Sequence, residues 1–210
     1  MIADDELIRS LAGSSDLSKL RRYDEVGSES PHGLYVYERD SGKWVLTRVD
    51  GEGFKPVLDG YYVLYFDNAK CHACRSYDSE WFPYVREASK KLHDHYFIVI
   101  LCEWFSRKCN SESASKSFKE YDVHASPTTY LLYVRNGSIA YKEKYEGRLN
   151  RDELRKVVGE FSVRVEKFER GERVELPKTA EEEVDIAEVI RKLIELLREA
   201  GKSERPSTQG

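Results

Sequence analysis

At 210 residues the chain has room for one domain with extensions or for two small ones. A formal net charge of −4, with 34% charged residues scattered in both signs, excludes a broad basic field for nucleic acid. No run of about 18 apolar residues is present, so no membrane span is expected. The start Met1-Ile-Ala-Asp-Asp-Glu6 lacks the basic and apolar regions of a signal peptide, and the chain reads as cytoplasmic.

Residues 4–12 (with Leu7, Ile8 and Leu11) and 16–22 are expected as two short Asp-capped helices. With the turn-rich stretch 27–33 they make a helical N-terminal extension over residues 1–33. Residues 34–37 and 44–49 are β-rich and flank Asp40-Ser-Gly-Lys43, the pattern of a hairpin. A brief helix is expected near residues 53–58, limited by Pro56. Residues 61–66 are continuously apolar, as a central strand covered on both faces should be. Cys71-His72-Ala73-Cys74 follows, opening a helix whose Tyr77, Trp81, Val85, Ala88 and Leu92 form one buried stripe. Pro83 inside it predicts a kink. Residues 96–101 are a second buried strand ending at Cys102, and strand–helix–strand predicts a parallel crossover. The polar stretch 103–115 holds Cys109, and residues 115–121 read as helical. Residues 128–134 and 139–145 are strands joined by Asn136-Gly137, a type I′ hairpin signal. Asn150 caps a helix over residues 151–161. Residues 163–183 read as a charged linker containing Pro177. Residues 184–200 read as an amphipathic helix with Ile186, Ile190, Leu193 and Leu197 on one face, and 201–210 as a disordered tail. The helix 184–200 either packs back on the domain, leaving a monomer, or pairs two copies as a homodimer. The single methionine, single glutamine (Gln209) and interspersed charges are the composition of a thermophile's surface.

Cys71 and Cys74 carry the chemistry. A cysteine at the start of a helix lies beside free N–H groups and the positive end of the dipole, which favour its thiolate. A second one at i+3 shares the helix face and is close enough to close a disulfide. The pair therefore reads as a thiol–disulfide site, with a structural or metal-binding pair as the other reading. Cys102 and Cys109 are a C-x6-C pair on a loop expected near that site. They form a structural disulfide, a second redox pair, or free or metal-binding thiols. The C-x2-C…C-x6-C spacing is not a zinc signature, even with His72 or His124 added, and no metal or organic cofactor is assigned. Lys70, Asp67, Tyr65 and Trp104 are expected near the site. Tyr62, Tyr77, Trp81 and Phe82 are expected in the core, and His93 and His95 on the surface at a helix end.

The order strand–CxxC helix–strand–helix–x-Pro–strand–NG–strand–helix resembles the thioredoxin fold. Three separated features carry the resemblance: Cys71-His72-Ala73-Cys74, Ser126-Pro127 before the hairpin, and Gly147 before the last helix. It covers residues 34–162, most tightly 60–162. It implies an α/β thioredoxin-like domain over 34–162, a central mixed sheet flanked by helices. The charged linker and helix then occupy 163–200. It further implies that Pro127 is cis and faces the redox pair, that the Ser126 backbone binds an extended substrate, and that Ser126 keeps stray metal from the thiols. The chain departs from the family at Lys70, where a Trp stands, at His72-Ala73, where Gly-Pro stands, and at Tyr65, where a buried acid takes the proton of the second cysteine. His72 between the cysteines would favour a neighbouring thiolate. Asp67 is expected as a solvated loop acid, the alternative being a replacement for the missing acid through water.

The resulting expectation is a thiol–disulfide oxidoreductase acting on protein disulfides. Cys71 attacks and Cys74 resolves, with electrons supplied by a reductase or a partner dithiol. The alternative is a thioredoxin-fold binding or assembly module with little or no redox turnover.

Overall fold

The computed structural model describes residues 3–105, 107–179 and 194. Its elements, in chain order, are α1 (Ala3–Ala12), β1 (Arg22–Tyr23), β2 (Gly33–Glu38), β3 (Lys43–Arg48), β4 (Gly60–Asn68), α2 (His72–Ala88), β5 (His95–Cys102), α3 (Glu112–Glu120), β6 (Thr128–Arg135), β7 (Ser138–Glu146), α4 (Arg151–Gly159) and α5 (Phe161–Glu169). Residues up to Pro177 group into one unit and the chain from Lys178 into another. The helix expected over 184–200 and the tail expected over 201–210 lie outside the described residues, apart from Ile194.

The strands form one mixed sheet in the order β1-β3-β2-β5-β4-β6-β7. The central pair β4 and β5 is parallel, as a strand–helix–strand crossover requires. β2 on one side and β6 on the other run antiparallel to it, and β7 closes the β6 hairpin. At its turn Asn136 and Gly137 both have positive φ, 54° and 71°, as a type I′ turn demands.

The central strands are continuously apolar over residues 61–66 and 96–101, as strands covered on both faces should be. Along β4 the side chains alternate. Val63 and Tyr65 join Trp81, Val85, Leu154 and Phe161 on the face covered by α2, α4 and α5. Tyr62, Leu64 and Phe66 join Leu7, Ile8, Leu11 and Phe118 on the face covered by α1 and α3. Burial of each such side chain contributes about 1.5–3 kcal/mol. The N-terminal helix is thus part of the core.

Four local expectations are overturned. Residues 16–22 make only a 3-10 turn, Leu17–Lys19, capped by the Asp16 side chain. Arg22 and Tyr23 are instead drawn into the sheet by pairing with Val45 and Trp44 of β3. Residues 53–58 form no helix. The Phe54 N–H donates to Ser117 Oγ (2.7 Å) and the Leu58 N–H to the Tyr62 hydroxyl (3.0 Å), so tertiary partners satisfy that backbone. His95 is buried at the start of β5, with its ring stacked on Tyr61 at 4.7 Å. Finally, the helix expected over 151–161 breaks at Glu160, and α5 occupies the first part of the stretch read as a charged linker. Arg164 of α5 reaches into the core, donating to both carboxylate oxygens of Glu143 on β7 at 2.8 Å. Tyr141 and Tyr145 donate their hydroxyls to the same carboxylate.

Candidate functional site

The ends of β4 and β5 meet the start of α2 at one edge of the sheet, where Asn68 pairs with Cys102. Two backbone bonds, Ala69 N–H to Cys102 O and Cys71 N–H to Asn68 O (both 2.9 Å), turn the chain from strand into helix. Cys71 is the N-cap of α2, with extended φ/ψ of −84° and 120° and no side-chain cap of its own. Cys71 therefore stands at the helix end where the first-turn N–H groups have no intrahelical partner. Cys71 is partly exposed and Cys74, one turn inside, is wholly buried; both thiols are free.

The Ser126–Pro127 peptide bond is cis and brings Ser126 against both cysteines. The Cys71 thiol lies 3.7 Å from the Ser126 carbonyl oxygen, and Cys74 Sγ lies 2.8 Å from Ser126 Oγ. The Asn68 N–H points at Cys74 Sγ at 3.5 Å. The Pro127 carbonyl is held from behind by the Gly147 N–H at 2.8 Å, where Gly147 takes φ 89°. That is the left-handed region in which glycine carries no steric penalty.

Beneath Cys74 is a buried charged cluster that overturns the solvated-loop reading of Asp67. β4 runs on to Asn68, so Asp67 is a strand residue with no exposure. Its Oδ1 accepts from Arg75, and its Oδ2 has no hydrogen-bond partner. Arg75 also pairs with Asp78 at 3.0 Å, and Tyr65 donates its hydroxyl to Asp78 Oδ1 at 3.0 Å. The Tyr65 hydroxyl lies 3.3 Å from the Cys74 carbonyl oxygen. Burial raises the pKa of Asp67, opposed by the Arg75 guanidinium. Burial and then the Asp67 charge raise Asp78 to about 7. The Cys74 thiol is pushed far up, by burial first and by the Asp67 charge second. Asp67 thus places a buried carboxylate two residues beyond Tyr65 on the same strand.

Lys70 and His72 are exposed; Lys70 pairs with Glu29 at 3.2 Å, outside the buried cluster. Cys102 and Cys109 are joined by a disulfide that closes the loop after β5. Arg75 and Asp78 are absent from the sequence reading. The available signal was spacing: Asp78 is four residues from Cys74 and three from Arg75, on neighbouring turns of one helix. Among the described residues no group of three or more His, Cys, Asp or Glu side chains is placed to hold a metal.

Two parallel central strands linked by the CxxC helix, an antiparallel hairpin entered through a cis-proline, and a helix after Gly147 define the architecture. The fold is thioredoxin-like. No family model matches the chain, and no curated protein does. Among solved structures it is similar to thioredoxin from Aeropyrum pernix, at 20% identity over 68% of this chain and 97% of that one, with a TM-score of 0.39. It is also similar to chloroplastic thioredoxin z (13% identity, 54% and 96% coverage, TM-score 0.37). A third is Trichomonas vaginalis thioredoxin (18% identity, 56% and 96% coverage, TM-score 0.34).

Proposed function

We propose that the chain is a cytoplasmic thiol–disulfide oxidoreductase acting on protein disulfides. The observation that carries this reading is the asymmetry of the cysteine pair. Cys71 is reachable from solvent at a helix N-terminus, Cys74 is buried one turn behind it, and both face Ser126 beside the cis-proline.

Cys71, at the N-terminus of α2, attacks as its thiolate one sulfur of a substrate disulfide. The substrate S–S bond breaks, a Cys71–substrate bond forms, and the second substrate sulfur leaves as a thiolate. Asp67, whose Oδ2 is unoccupied, takes the proton of Cys74. The Cys74 thiolate, steadied by the Ser126 hydroxyl and the Asn68 N–H, attacks Cys71 Sγ. The Cys71–Cys74 bond forms and the first substrate sulfur leaves as a thiolate. The substrate has gained two electrons and the chain has lost two, which an external dithiol or a reductase returns. Run backward, the same steps oxidise a substrate dithiol.

Insulin reduction with dithiothreitol tests the reading. Wild type should accelerate precipitation of the insulin B chain, and Cys71→Ser should fall to the rate of dithiothreitol alone. Equal rates for the two proteins would remove the enzyme reading and leave a thioredoxin-fold binding or assembly module.

A further inference from the structure

A cleft of about 240 Å³ opens beside Cys71, with Trp104 and Phe105 as one wall, Cys71 and Ser126 as the other, and Lys70 and Glu103 among its lining residues. An apolar cavity of about 150 Å³ takes a benzene ring, so this one has room for a large side chain. Its aromatic wall comes from the loop between β5 and α3. Trp104 is 59% exposed, more than any other large apolar side chain among the described residues. Its backbone is nonetheless tied down. Trp104 and Phe105 have φ of 50° and 49°, a left-handed conformation rare for bulky residues. The Phe105 N–H donates to Asn68 Oδ1 at 3.0 Å, tying the loop to the end of the strand that leads to the cysteines. The Arg107 N–H donates to the Trp104 carbonyl at 3.0 Å and the Lys108 N–H to that of Glu103 at 3.2 Å. The Cys102–Cys109 bond closes the base, and the Asn110 N–H anchors it to His32 Nδ1 at 2.9 Å.

We propose that this stapled loop selects substrates: Trp104 and Phe105 receive an aromatic or large aliphatic side chain flanking the attacked cysteine of an extended peptide. The proposal rests on the exchange reading above. A substrate sulfur bonded to Cys71 fixes the residues on either side of it within about 3.3–3.6 Å of chain per residue. Cys71 itself lines the cleft, so a flanking side chain has this apolar space directly beside it. The peptide backbone supplies no such preference, which makes the aromatic wall the discriminating element.

The test uses two pentapeptides, Gly-Phe-Cys-Phe-Gly and Gly-Ser-Cys-Ser-Gly, each carrying thionitrobenzoate on its cysteine as a mixed disulfide. Pre-reduced protein attacks the peptide sulfur and releases coloured thionitrobenzoate, giving a second-order rate constant for each peptide. Wild type should favour the Phe peptide by at least about tenfold, the lower end of discrimination by an apolar pocket. Trp104→Ala should bring the ratio below about threefold, and Trp104→Phe should restore most of it, with circular dichroism reporting that both variants fold. A wild-type ratio near one, or a ratio unmoved by Trp104→Ala, overturns this inference alone. No thionitrobenzoate release from either peptide overturns the exchange reading and this inference with it.

Discussion

Replacing Asp67 by asparagine keeps the shape of the side chain and removes the charge that can accept the Cys74 proton. Asp67 is fully buried with its Oδ2 unpaired, which leaves that oxygen free to take the proton of the buried Cys74. A positioned general base contributes about 10²–10⁴-fold. The lower end applies here, because the Asp67 charge also holds the Cys74 thiol up and its loss returns part of the effect. The expected slowing is about 100-fold, or about 2.7 kcal/mol of barrier, and it falls on resolution. Stopped-flow mixing of pre-reduced protein with a fluorescent peptide–thionitrobenzoate disulfide separates the steps. Absorbance follows attack by Cys71, and anisotropy follows peptide release by Cys74. In Asp67→Asn only the anisotropy phase should slow strongly, and its pH profile should move to higher pH. Slowing of less than about threefold, with an unmoved profile, would refute Asp67 as the acceptor.

Asp78 makes stability depend on pH. Its folded pKa, about 7, lies above the unfolded value, so between the two the native state binds more protons and stability falls as pH rises through that window. Asp78→Asn abolishes this contribution, so urea melts should show the variant gaining on wild type between pH 4 and pH 8; parallel curves would count against it. Arg164→Ala strands the buried Glu143 carboxylate and should destabilise by about 3–5 kcal/mol, whereas Arg170→Ala, at an exposed surface pair, should leave the melt almost unchanged. Equal melts for these two would mean that α5 is not anchored as described. Replacing Cys102 and Cys109 together by serine releases a short loop, and chain entropy sets the loss at roughly 2.5 kcal/mol. Chemical denaturation measures it, and a loss above about 5 kcal/mol would exceed what loop closure can supply.

The central strands, the CxxC helix and the hairpin were legible because their apolar runs, stripe and Asn136-Gly137 turn act locally. The misread positions are those where a distant partner decides. Asp67 and Asn68 look like loop residues, yet the ladder continues through them because Leu101 and Cys102 lie opposite. Arg22 and Tyr23 become a strand only because β3 offers an open edge. α5 is hidden by its charges, since one of its buried residues is Arg164 and the matching Glu143 is 21 residues earlier. At the site, position 65 is a buried tyrosine whose hydroxyl donates to Asp78. The cluster it forms with Asp67, Arg75 and Asp78 depends on which side chains share a buried face, which neither their polarity nor their spacing alone declares.

The placement of the three tryptophans gives the chain an optical reporter. Trp44 and Trp81 are buried, and Trp104 stands in solvent beside the cysteine cleft. A water-borne quencher such as iodide therefore reaches the emission of one indole and leaves the other two shielded. The quenchable, red-shifted fraction of the fluorescence belongs to the rim of the cleft, so peptide docking can be followed in the unlabelled wild-type protein.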